Sequence, residues 1–105
     1  MKLLLAATLL SGTFLAMGAQ AAGDPEAGEG KIAACAACHG TDGMGTSPIY
    51  PNLAGQSAAY LESAMKAYRD GERGGGMSAL MVPQAQGLSD EDIADMSAYY
   101  ASLEP

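Results

Sequence analysis

The chain has no tryptophan, one phenylalanine, one histidine, two cysteines and only five basic residues, and each shortage closes off a class of protein. A structural zinc site takes four Cys or His ligands, so three such residues cannot build one. Five Lys and Arg against twelve Asp and Glu give a surface that repels phosphate, which argues against nucleic acid and anionic membranes as partners. No glycine-rich phosphate loop, internal repeat or strand-like alternation is present. Without alternating strands and helices, a thioredoxin-like reading of the cysteine pair lacks its βαβ context.

Long apolar runs are also scarce, and the one example stands at the amino end. Lys2 gives a basic start, residues 3 to 17 are mostly apolar, and Ala19-Gln20-Ala21 supplies a small-x-small cleavage site, the pattern of a secretory signal. The run is short for a membrane span and is interrupted by Thr8, Ser11, Gly12 and Thr13. The expectation is therefore a signal peptide over residues 1–21 and one domain over 22–105, exported and without stable membrane insertion after cleavage. Setting Lys2 aside leaves four basic and twelve acidic residues, a net charge of −8. Such acidity steers a basic partner or keeps a small exported protein soluble.

What the chain does have is the run Cys35-Ala36-Ala37-Cys38-His39. C-x-x-C-H reads as a c-type haem attachment site: the two thiols add to the haem vinyl groups, and the adjacent histidine is carried under the ring to the iron. Two intervening residues bring both sulfurs to one edge of the macrocycle. One such motif implies one haem c per chain, covalent through Cys35 and Cys38, with His39 as metal ligand. The sparse core agrees. Phe14 falls within the expected signal, which leaves five tyrosines as the large aromatics, and a chain of this size rarely draws more than about 3–5 kcal/mol from its own core. A buried haem supplies the missing apolar centre, so the haem-free chain is expected not to fold stably.

Local signals place helices around this motif. Asp24 is a good N-cap with Pro25 at the first helical position, predicting a first helix to about Ala34. Gly28 and Gly30 weaken it, each by up to about 1 kcal/mol relative to alanine, unless a glycine lets the last helix cross closely. Residues 40–48 are turn formers and predict a loop. Ser57 caps a second helix with Tyr60, Leu61, Ala64, Met65 and Tyr68 on one face and Gly71 at its end. Residues 71–83 are rich in Gly and read as irregular, with Pro83 biasing Val82 towards extended backbone. Ser89 and Asp92 form a variant capping box, opening a final helix whose apolar face carries Ile93, Met96, Tyr100 and Leu103 and which ends before Pro105.

Together with the haem motif, Pro51-Asn52-Leu53-Ala54-Gly55 resembles the P-x-L-x-G element of class I c-type cytochromes, in particular small bacterial periplasmic ones and each half of their dihaem relatives. The resemblance implies an all-α cytochrome c fold, about three to four helices wrapped around one covalently bound haem. It also implies that the Pro51 carbonyl accepts a hydrogen bond from His39 and that Leu53 packs on the haem face. Class I cytochromes bring a methionine to the distal iron position from a loop before the last helix. Met44 is tied too close to the attachment motif, and Met65 and Met96 lie on helical stripes, which leaves Met77 and Met81. The spacing from Met81 through Pro83 to Ser89 resembles the family pattern and selects Met81 as the second metal ligand.

Iron held by His and Met has both axial positions filled, and methionine raises the reduction potential. The implied function is periplasmic electron transfer rather than enzymatic turnover. The implied partners are redox proteins: a membrane cytochrome complex, a terminal oxidase or a periplasmic dehydrogenase, met by a monomer or weak dimer. A haem enzyme or gas sensor with a labile sixth ligand is the reading from another class, and an electron-transfer subunit of a larger oxidoreductase keeps the chemistry but changes the partner.

Overall fold

The computed structural model describes residues 22–105; the expected signal segment lies outside the described residues. Among them are five α-helices and no strand: α1 (Pro25–Glu29), α2 (Ala33–His39), α3 (Ala58–Arg69), α4 (Met81–Ala85) and α5 (Asp90–Ser102). A 3₁₀ turn over Gly76–Leu80 leads directly into α4. The last helix organises the rest, since α1 and α3 both pack on α5, and α4 in turn packs on α3.

The predicted first helix is two. Asp24 does cap it, its side chain accepting from the Glu26 N–H at 2.9 Å, with Pro25 at the first position. The helix nevertheless stops at Glu29, and the Lys31 N–H turns back to Gly28 O at 2.9 Å. Ile32, at φ −90° and ψ 7°, is 3% exposed and opens α2 without a side-chain cap. Burying Ile32 and extending Lys31 towards α5 demand different directions at adjacent residues, and glycine at 28 and 30 lowers the cost of the break.

Gly28 and Gly30 then separate in role. A Cβ on Gly28 would overlap the Asp95 carbonyl of α5 and sit 2.9 Å from Tyr99 Cβ, whereas one on Gly30 would meet nothing nearer than Ala27 O at 3.5 Å. The close helix crossing belongs to Gly28 alone.

α3 begins as predicted, with Ser57 Oγ accepting from the Tyr60 N–H at 3.2 Å, and stops before Gly71, which has φ +75°. Leu61 and Tyr68 are buried, but Tyr60, on the stripe by spacing, is half exposed. The segment after it corrects the sequence reading. Residues 76–85 are helical rather than irregular, and Val82 lies inside α4 instead of in extended backbone. Pro83 is the third residue of α4, where a helix leaves its N–H unused in any case.

The box at α5 is formed in both directions: Asp92 N–H to Ser89 Oγ at 3.0 Å and Ser89 N–H to Asp92 Oδ2 at 3.1 Å. Arg69 closes the far end of α3 onto this start, its guanidinium 2.6 Å from Asp90 Oδ1. Among the described residues the central cluster is Ile32, Leu61, Met96, Tyr99 and Tyr100, with Cys35, Ala36, Leu53, Leu88 and Leu103 packed against it, and Tyr68, Ala85 and Ile93 are buried besides.

Candidate functional site

α2 carries the whole attachment motif. Cys35 and Cys38 are three apart on it and share a face; both are free thiols and half-buried. Burial pushes the Cys35 thiol above its ordinary range. His39 is the last residue of the helix and is 6% exposed. Gly40 follows at φ +78°, turning the chain where a Cβ would overlap the Met44 carbonyl.

His39 Nδ1 lies 2.8 Å from the carbonyl oxygen of Pro51. A carbonyl only accepts, so the geometry assigns the hydrogen to Nδ1 and leaves the Nε2 lone pair as the ring's free donor to a metal.

The loop between these two residues is tied at several points. Thr46 N–H donates to Cys38 O at 2.9 Å, and the N–H groups of Leu53 and Ala54 both donate to Gly43 O, at 2.7 and 3.0 Å. Gly45 N–H reaches Asn52 Oδ1 at 2.7 Å. Gly43 has φ +74° and stands so close to Ala54 that a Cβ would come within 2.7 Å of its nitrogen. From the other side, α5 grips the same backbone. Tyr99 donates its hydroxyl to Thr41 O, Tyr100 donates to Gly40 O at 3.2 Å, and Gly55 N–H donates to Tyr100 O at 3.1 Å.

Of the residues singled out by sequence, Cys35, Cys38, His39, Pro51 and Leu53 are gathered by this loop. Leu53 packs with Cys35 and Ala36 against the core. Met81 stands apart as the first residue of α4, half-buried, while Met77 in the 3₁₀ turn is 55% exposed. Sequence reasoning missed Lys31, Asp95 and the hydroxyls of Tyr99 and Tyr100. Their partners are 58 to 71 positions distant, so no local pattern announces them.

Two uncrosslinked thiols one helical turn apart and a buried imidazole with one committed nitrogen fit a covalently held haem. Fold and site together define a small all-α class I cytochrome domain. The cytochrome c family matches residues 25–104, and the chain belongs to it, binding haem c through Cys35 and Cys38.

Over 83 residues it is 72% identical to cytochrome c-554(548) of Halomonas halodenitrificans, covering 79% of this chain and 100% of that one. It is 40% identical over 75 residues to a thiosulfate dehydrogenase electron acceptor of Stutzerimonas stutzeri, covering 71% of this chain and 35% of the relative. The crystal structure of reduced recombinant cytochrome c4 from Pseudomonas stutzeri shares the fold with a TM-score of 0.69 at 39% identity, covering 79% of this chain and 47% of that one. The chain thus spans the whole of the first relative and half or less of the other two. It is an electron-transfer protein of the cytochrome c type.

Proposed function

We propose that the chain is a periplasmic one-electron carrier, not an enzyme, whose haem iron is held by His39 and Met81. The contact that carries this reading is His39 Nδ1 to Pro51 O at 2.8 Å, which leaves one ring nitrogen for iron and fixes the ring's direction. When bound, the haem supplies a one-electron iron couple. The chain supplies the rest. Pro51 would orient His39 and raise its basicity, Leu53 would supply apolar contact to the haem, and Met81 would be the second iron ligand and raise the potential. With two protein ligands on the iron, a substrate would have to displace one, which favours electron transfer over turnover or gas sensing.

Export is supported by the signal pattern of residues 1–21. No helix among the described residues is long and apolar enough to cross a membrane. The partners that fit are redox proteins docking briefly with a monomer or weak dimer. The electron-acceptor relative favours a periplasmic dehydrogenase as donor, with a membrane cytochrome complex or terminal oxidase downstream.

Absorption spectra of the haem-loaded protein, oxidised and reduced, with and without carbon monoxide, test the ligand set. The wild type is expected to be low-spin with sulfur-to-iron character and indifferent to carbon monoxide, and Met81→Ala to lose both properties. A Met81→Ala protein identical to wild type moves the assignment to Met77. High-spin wild-type iron that takes up carbon monoxide overturns the carrier reading in favour of ligand sensing.

A further inference from the structure

Tyr100 touches the backbone on both sides of the His39–Pro51 contact. Its hydroxyl donates to Gly40 O at 3.2 Å, in buried surroundings and one residue from His39. Its own carbonyl accepts from Gly55 N–H at 3.1 Å, four residues past Pro51. Tyr99 adds a hydroxyl bond to Thr41 O, so two successive residues of α5 hold two successive carbonyls behind the histidine. The two rings meet edge-on, with centroids 5.3 Å apart and planes at 72°. Adjacent residues on a helix point about 100° apart, at 3.6 residues per turn, so an amphipathic stripe does not by itself deliver both hydroxyls to one strand of backbone. Phenylalanine would fill the same core volume at either position. The hydroxyls therefore answer to something other than packing, and each sits on the backbone that sets where His39 stands relative to Pro51.

We propose that Tyr100, assisted by Tyr99, is a positioning residue for the iron ligand, holding the His39–Pro51 hydrogen bond short and thereby tuning the reduction potential. The inference rests on the reading that His39 ligates iron. A histidine whose second ring N–H is strongly accepted is a more basic ligand, and a more basic ligand favours the oxidised metal. Releasing Gly40 and Thr41 lets the contact lengthen, weakens that donation and raises the potential.

The test compares haem-loaded wild type with Tyr99→Phe, Tyr100→Phe and the double variant, using Tyr60→Phe as a control. Tyr60 is half exposed on α3. Spectroelectrochemical titration reads the midpoint potential, and proton NMR of the reduced protein reads exchange of the His39 ring N–H. At a fixed ambient potential the double variant is expected to show a three- to tenfold higher ratio of reduced to oxidised protein. That is about 30–60 mV at 59 mV per decade for one electron. Ring N–H exchange is expected to quicken, with smaller effects in the single variants and none in Tyr60→Phe.

Variants that lose thermal stability while potential and exchange stay at wild-type values overturn the proposal and leave the hydroxyls a structural role alone. Should the double variant fail to load haem, the two single variants carry the same comparison. The wild-type spectrum with carbon monoxide checks His39 and Met81 ligation separately, so failure of that reading is distinguishable from failure of the tyrosine assignment.

Discussion

Asp95 shows how much one side chain carries. It is 5% exposed, accepts from the Asp24 N–H at 2.8 Å and from Lys31 Nζ at 2.8 Å, and Lys31 reaches Asp92 at 3.0 Å as well. A carboxylate removed from water is tolerable only when so partnered. The Lys31 ammonium first, and the Asp24 N–H after it, hold the Asp95 carboxyl below the usual range. A depressed carboxyl stabilises the fold above the unfolded value of about 3.9, and that contribution is lost as pH falls through the folded value. Urea midpoints of the haem-loaded protein are expected to stay level from pH 7 to 5 and to fall below about pH 4. Asp95→Asn should lower the midpoint at pH 7 and flatten the acid slope; parallel curves for the two proteins would refute this. Nothing near Lys31 or Asp95 announces the pair, because they are 64 positions apart. Attachment through Cys35 and Cys38 was legible because covalent attachment demands fixed local spacing, and the same spacing puts His39 forward as the proposed iron ligand. Pro51 became legible only through resemblance, its share being a backbone carbonyl that any residue type could offer.

Among the elements, α5 was the most legible, because its signals are local: a capping residue, acids in the first turn and an apolar stripe. The break between α1 and α2 was not, since it depends on where Ile32 and Lys31 must go in three dimensions. The two glycines of this region now predict opposite outcomes. At Gly28 an added methyl overlaps α5 backbone, and forced overpacking costs about 1–3 kcal/mol. Gly30 has φ −73° and ψ −10° with room for a methyl, where Gly to Ala gains about 0.4–1 kcal/mol by restricting the unfolded chain. Thermal melts of haem-loaded Gly28→Ala and Gly30→Ala should therefore move in opposite directions from wild type, and a shared rise would show that helix propensity, not the crossing, governs both sites. In α4 the opposite error arose. Pro83 suggested an extended Val82, but a proline within a first helical turn breaks no bond, and position within a turn is fixed only once the turn exists.

At the scale of the whole molecule, the apolar interior is slight. Among the described residues Ile93 is the one large side chain completely buried, and the central cluster has five residues. Far-ultraviolet circular dichroism of the haem-free chain is expected to show weak helicity and a broad, non-cooperative melt, with helicity and a sharp transition restored by haem loading. A cooperative melt without haem would show that the five helices suffice alone. The sequence motif announced the class of fold because it names the cofactor around which the fold closes, while the count and joints of the helices depend on contacts between distant parts. Tyr99 follows Thr41 by 58 positions and Asp95 follows Asp24 by 71, so the two ends of the domain must meet before the backbone behind the motif is secured. Closing a loop of that length costs chain entropy, which the haem-free chain has little apolar burial to offset.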